Sequence, residues 1–309
     1  MQQGKSSIPS SSSGLIILLL CAFILSANSF TLKRQGSTWR PVVLMHGITS
    51  SADDMNELGS WLTDSFPGIY VKSIEIGNGK DDSFLMPMNS QVAQFCAKVK
   101  ADPHFNNGFN ILGFSQGSLI VRGAVERCSF PNVYNLITIS GAHAGIFGIP
   151  YLEDLPAHFR ELISKYAYTD IAQGMLSISG YWRDPYNLDT YHKKSQFLAD
   201  INNEDLTPNE LYRQNLLKLN AFVMTYSDLD EIITPRQSGW FMGYQTDTLK
   251  VELWNSSKVF QDDLIGMKTL LNTDRLHVYT SHTKHRESTH APNKEFFFKN
   301  ILQYFNNTL

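Results

Sequence analysis

The sequence predicts an α/β fold: a mostly parallel β-sheet covered by helices on both faces, with a helical insertion before its last two strands. Three observations predict it. Short β-branched runs alternate with helical patterns along the chain, as in a parallel sheet built from strand–helix–strand units. Val42-Val43-Leu44-Met45 is apolar without alternation, which fits a central strand buried on both faces. Gly113-Phe114-Ser115-Gln116-Gly117 follows the apolar run Phe109–Leu112 and precedes the helix-like stretch Ser118–Glu126. That is a strand, a sharp turn and a helix built around a serine.

The elements follow in order. Residues 1–29 read as a cleaved signal peptide: Lys5 supplies a weakly positive start, Leu15–Leu25 an unbroken apolar segment, and Ser26–Ser29 small residues for cleavage. Eleven apolar residues are short for a hydrocarbon core of about 30 Å, so no membrane span is expected once the leader is removed. Strands are expected at Pro41–Met45, Tyr70–Ile76, Phe109–Phe114, Asn135–Ser140, Ala221–Tyr226 and Leu276–Thr280, and helices at Ala52–Ser65, Ser90–Lys100, Gln116–Arg127 and Asn293–Asn306. The segment from about Gly141 to Leu219 breaks the rhythm, with helical patterns at Pro156–Tyr166 and Pro208–Lys218. So long a stretch between two strands is not a plain loop; it reads as an insertion packed over the strand ends. The domain proper is then 30–309.

With 309 residues, 42% hydrophobic and 18% charged, the chain can bury a large core. A net charge of −3 leaves no basic footprint, which sets nucleic acid aside. Entry into an oxidising compartment removes Cys21 with the leader and leaves Cys96 and Cys128 as one pair. Cys96 falls in the helix before the Ser115 strand and Cys128 ends the helix after it, so a disulfide between neighbouring helices is expected. Asn255 and Asn306 begin glycosylation sequons.

The Gly-x-Ser-x-Gly spacing has a steric reason: only glycine at 113 and 117 lets strand and helix close tightly around a strained Ser115. A serine hydroxyl becomes nucleophilic when a histidine takes its proton and a carboxylate orients that histidine. In this strand–turn–helix setting the partners follow in the order Ser, acid, His. After the strand ending near Tyr226 stand Asp228, Asp230 and Glu231, and after the last strand stand His282, His285 and His290. The acid remains open among three carboxylates. Two amides must hold the oxyanion, and these are expected from Gln116 and from Ile48, in the loop Met45-His46-Gly47-Ile48-Thr49. His46 reads as a packing residue beside the sheet and Arg122 as a buried structural arginine; His143 reads equally as structural or pocket-lining. No His/Cys/Asp cluster has metal-ligand spacing and no phosphate-binding glycine loop is present.

At this point the chain resembles the palmitoyl-protein thioesterases. The matching pieces include His46-Gly47, the Ser115 motif with Arg122, Glu126-Arg127-Cys128, Gly141-x-His143-x-Gly145-x-Phe147-Gly148-x-Pro150, and Tyr181-Trp182-Arg183-Asp184-Pro185. Phe197-Leu198-Ala199-Asp200-Ile201-Asn202, Asp230-x-x-Ile233-x-Pro235 and Leu264-Ile265-Gly266-Met267-Lys268 continue the likeness across roughly residues 40 to 305. The Phe-Leu-Ala-Asp-Ile-Asn string is the most specific, since a generic hydrolase has no reason to share it. The resemblance implies an α/β-hydrolase fold with a helical insertion after the sixth strand that holds a fatty acyl chain. It implies lysosomal or secreted enzymes that remove thioester-linked palmitate from S-acylated proteins or peptides, without a cofactor. It places the nucleophile on Ser115, the oxyanion donors on Ile48 and Gln116, and the acid on Asp230.

Three positions depart from the family pattern: Ser118 replaces a second glycine after the elbow, Phe241-Met242-Gly243-Tyr244 alters a Phe-Gly-aromatic run, and the Gly-Asp-His that carries the base is absent. Counting forward from the last strand puts the base on His285. Counting back from the C-terminal helix puts it on His290, and His282 sits almost on the strand end. Two other functions fit the same residues, an oxygen-ester or lipid hydrolase of this fold and a catalytically inactive homologue that binds lipid or protein.

Overall fold

A computed structural model describes residues 39–148 and 165–307. Six strands, β1 (Val42–Met45), β2 (Val71–Ile74), β3 (Phe109–Phe114), β4 (Val133–Ile139), β5 (Ala221–Ser227) and β6 (Leu276–Ser281), form one sheet in the order β2-β1-β3-β4-β5-β6. Every neighbouring pair is parallel. Consecutive residues of the inner strands face two separate cores. Val43, Met45, Ile111, Leu136, Phe222 and Met224 join one, with Phe95, Leu119 and Phe197. Val42, Leu44, Leu112, Ile137 and Val223 join the other, with Leu58, Trp61, Phe297 and Phe305. That two-sided burial is why these strands read as unbroken apolar runs.

Helix Asn56–Ser65 and the C-terminal helix Lys294–Asn300 supply the second core; helices Met88–Ala101 and Gln116–Arg127 supply the first. Cys96, in Met88–Ala101, is disulfide-bonded to Cys128, the C-cap of Gln116–Arg127. The link therefore ties together two helices on one face of the sheet. The expected helix Asn293–Asn306 is broken into Lys294–Asn300 and a 3₁₀ turn, Leu302–Phe305. The expected strand Tyr70–Ile76 shortens at both ends, because β2 is an edge strand whose residues are mostly only half covered.

Between β4 and β5 lie helices Asp170–Met175, Leu188–Lys194, Leu198–Ile201 and Glu210–Leu216. The insertion thus follows the fourth of this chain's described strands, so the family's count of six runs two ahead of the count here. The helix expected over Pro156–Tyr166 falls almost wholly outside the described residues, as does the leader. Among the described residues no helix is long and apolar enough to cross a membrane, and no group of His, Cys, Asp and Glu is arranged to hold a metal ion.

Candidate active site

Ser115 stands at the end of β3 with φ 54° and ψ −125°, a left-handed conformation that L-residues avoid unless the surroundings impose it. The two glycines are what allow it. A Cβ on Gly113 would lie 2.4 Å from the Gly117 carbonyl oxygen, and one on Gly117 would lie 2.3 Å from the His46 carbonyl oxygen. The amide of Ser115 donates to the Ile139 carbonyl at 2.8 Å. Ser118, which replaces a family glycine, is buried with its hydroxyl 2.9 Å from the Gly113 carbonyl and 3.2 Å from that of Ile139. The added hydroxyl therefore braces the elbow instead of crowding it.

The loop ends of β5 and β6 bring two more side chains to Ser115. His285 Nε2 is 2.9 Å from Ser115 Oγ, and His285 Nδ1 is 2.6 Å from Asp230 Oδ2. Asp230 Oδ1 in turn accepts the amides of Ile232 at 2.9 Å and Ile233 at 3.0 Å. All three side chains are buried, and the Phe114 ring packs 5.0 Å from the imidazole. Ser227, at the end of β5, ties the two loops: its hydroxyl accepts the Thr283 amide at 3.0 Å and donates to the Thr283 carbonyl at 2.5 Å. Sequence reasoning missed Ser227, whose partner is 56 positions away.

The competing residues go elsewhere. Asp228 pairs with exposed His282 at 2.8 Å, and His290 pairs with Glu57 at 2.8 Å. Glu231 accepts the His285 amide at 3.1 Å through its side chain and so supports the loop without meeting the imidazole. His46 is buried, with Nδ1 2.9 Å from the Gly47 carbonyl oxygen and Nε2 3.2 Å from Glu75. His143 is buried and stacked on Phe241, and burial, helped by the nearby Arg122 charge, holds its pKa well below the usual histidine range. Arg122 is buried too, donating to Glu126 at 3.0 Å, to the Ile201 carbonyl at 2.9 Å and to Asn202 at 2.7 Å. The Phe-Leu-Ala-Asp-Ile-Asn string thus packs on the elbow helix, far from any solvent-facing role for Arg122.

Ser115 opens onto a cavity of about 230 Å³ lined by Ile48, Thr49, Lys80, Phe114, Ile232, His285 and Arg286 among others. Ile48 faces it from the loop after β1. Gln116 is the first residue of its helix, where a backbone N–H has no intrahelical acceptor. Among the described residues, none from the insertion lines this cavity; 149–164 lie outside them. A larger cavity of about 800 Å³, bordered by Arg183, His192, Glu204 and Leu264, contains none of Ser115, Asp230 and His285. The smaller cavity is the one that Ser115 and His285 line. There a serine hydroxyl, an imidazole and a carboxylate stand in one hydrogen-bonded line, which is the arrangement that activates serine for acyl transfer.

The model of the palmitoyl protein thioesterases matches residues 41–285.

The chain belongs to the palmitoyl protein thioesterase family.

It is an enzyme-family member of the α/β-hydrolase fold, consistent with its parallel sheet and elbow. Palmitoyl-protein thioesterase 3 of Dictyostelium discoideum is 42% identical over 274 residues, covering 88% of this chain and 94% of its own length. Palmitoyl-protein thioesterase 1 of Caenorhabditis elegans is 34% identical, covering 84% and 90%. The human lysosomal thioesterase PPT2 is 30% identical, covering 76% and 78%.

Proposed function

We propose that this protein hydrolyses the thioester that links palmitate or another long-chain acyl group to cysteine in S-acylated proteins and peptides. The observation that carries the proposal is the Ser115–His285–Asp230 line, set in a chain of this family. His285 Nε2 takes the Ser115 proton as Oγ attacks the thioester carbonyl. The amides of Ile48 and Gln116 hold the oxyanion that develops. Asp230 keeps Nδ1 protonated and so leaves Nε2 free to accept. The C–S bond then breaks, and the proton held on His285 passes to the departing cysteine sulfur, which returns the imidazole to its neutral form. A thiol with pKa about 8.5 is a far better leaving group than an alcohol, so protonation by His285 is needed less at this step than for an oxygen ester. Water, activated by the same imidazole, then cleaves the acyl-serine.

The cavity at Ser115 is smaller than the roughly 300–1,000 Å³ of pockets that enclose drug-sized ligands. The acyl chain therefore extends beyond it, and we assign its apolar seat to the insertion, 141–219. Leaving a long tail in water would forfeit about 0.8 kcal/mol per methylene. The leader at 1–29, the sequons at exposed Asn255 and at Asn306, and the disulfide support delivery to the lysosome or beyond by the secretory route.

The test is hydrolysis of S-acyl peptides of graded chain length beside matched oxygen esters. The expected result is a long-chain optimum with higher kcat/KM on the thioester. Equal or greater rates on oxygen esters at every length would overturn the substrate assignment.

A further inference from the structure

Ser83 lies in the short helix Lys80–Leu85 and is completely buried. Its hydroxyl accepts the backbone N–H of Thr49 at 2.7 Å and donates to the Lys80 carbonyl at 2.6 Å. Thr49 directly follows Ile48 and has φ 53°, a left-handed conformation that is costly for a β-branched residue. The bond to Ser83 therefore holds the Ile48–Thr49 peptide in an orientation the chain would otherwise leave.

The other half of Ser83 reaches the elbow. Its carbonyl accepts Gln116 Nε2 at 2.8 Å and Gln91 Nε2 at 2.9 Å. Gln116 Nε2 also donates to Gln91 Oε1 at 3.1 Å, and the Tyr181 hydroxyl donates to Gln116 Oε1 at 3.1 Å. All four side chains are buried. A buried polar cluster is costly unless its members satisfy one another, and here the Gln116 amide group has every hydrogen and its oxygen engaged. The cluster is not spread through the core. It joins the residue after Ile48 to the first residue of the elbow helix.

We propose that Ser83 is a positioning residue that sets the loop after β1 and the start of the elbow helix against each other, so that the Ile48 and Gln116 amides converge on the oxyanion. The proposal rests on the serine-hydrolase reading above. Its hydroxyl touches neither Ser115 nor His285, so it acts on the charge that develops in the transition state and not on proton transfer. Removing an oxyanion donor outright costs about 10²–10³ in kcat; displacing one costs less.

The experiment compares wild type with Ser83→Ala and Ser83→Cys. Cysteine keeps the shape of the side chain with a somewhat larger atom at its tip, but accepts hydrogen bonds weakly. Each is assayed for kcat and KM on an S-palmitoyl peptide, for the pH dependence of kcat, and for the rate at which a fluorophosphonate labels Ser115. Both variants are expected to lose about 10–100-fold in kcat and in labelling rate, with KM within about twofold and the pH midpoint unmoved. Should Ser83→Ala fail to fold, the near-isosteric Ser83→Cys decides. Wild-type kcat and labelling rate in folded Ser83→Cys overturns the proposal, as does a loss confined to KM or a displaced pH midpoint. If wild type is labelled at Ser115 yet cleaves no thioester, the substrate assignment fails, and the ratio of labelling rates still decides the role of Ser83.

Discussion

Replacing Asp230 by asparagine removes one charge and changes almost no volume, yet the local hydrogen bonds fix its consequence. Oδ1 of Asp230 accepts two backbone amides, from Ile232 and Ile233. An asparagine must keep its carbonyl oxygen on that side, because its NH2 would confront two donors. The NH2 is thereby turned toward His285 Nδ1, where the carboxylate oxygen now lies at 2.6 Å. Two donors cannot share that position, so the imidazole shifts its proton to Nε2, the nitrogen 2.9 Å from Ser115 Oγ. A protonated Nε2 cannot accept the serine proton. The matching change in serine proteases lowers kcat by about 10⁴ through the same tautomer switch, which is roughly 5–6 kcal/mol of barrier. Asp228→Asn alters only an exposed pair with His282 and is expected to stay within about twofold of wild type. The assay is kcat on an S-palmitoyl peptide at saturating substrate, with folding checked by thermal melting. Equal losses in the two variants, or Asp230→Asn retaining a tenth of wild-type kcat, would refute this reasoning.

Three further outcomes are expected. His285→Ala should lose at least about 10³ in kcat, His282→Ala should be near wild type, and His290→Ala, which borders the cavity but pairs with Glu57, should lose no more than about tenfold; turnover by the three single variants checks the order. Breaking the Cys96–Cys128 bond, which joins positions 32 apart, should cost roughly 3–4 kcal/mol on a chain-entropy basis, read as a lower Tm in reductant, whereas ready alkylation of both thiols in unreduced secreted protein would contradict the link. Burial pushes Glu126 up to about 7 against the opposing pull of Arg122 and Arg127. The folded state then holds a proton there that the unfolded state releases, so this contribution, on the order of 3 kcal/mol, is full below about pH 4.5 and lost as pH rises through 7. Glu126→Gln cannot titrate, and its Tm deficit relative to wild type should be larger at pH 5 than at pH 8. Buried His143 drives stability the opposite way below pH 6.5, but it does so in both proteins and cancels in the comparison.

How far the sequence carried the structure depended on the range of the forces involved. Strand Phe109–Phe114 and helix Gln116–Arg127 lie where the motif put them, because two glycines and a serine define that turn locally. The inner strands were legible because burial on both faces leaves an unbroken apolar run. The edge strand β2 was overextended, since half-covered Val71 and Ser73 and exposed Lys72 carry little pattern. Helix Lys80–Leu85 was not foreseen: it starts after Gly79, at φ 107°, and is too short to show a period. The acid and base were harder still. Asp228 and Asp230 stand two residues apart in the same loop and each meets an imidazole; the resemblance points to Asp230, and the fold shows that its partner, His285, is the histidine that reaches Ser115. Ser227 and Ser83 were invisible to sequence reasoning because their partners come from other loops. Ser118 looked like a defect in the family pattern and proved to be a brace.

The most direct measurement is rapid mixing of the protein with a palmitoyl thioester, acid quenching, and mass spectrometry of the peptide that carries Ser115. Wild type should show palmitate on Ser115 that forms before free acid accumulates. Folded Ser115→Ala should carry none and turn over no substrate beyond a trace. Brisk hydrolysis by folded Ser115→Ala, or an acyl group recovered on any other side chain in place of Ser115, would contradict a serine thioesterase centred on Ser115, His285 and Asp230.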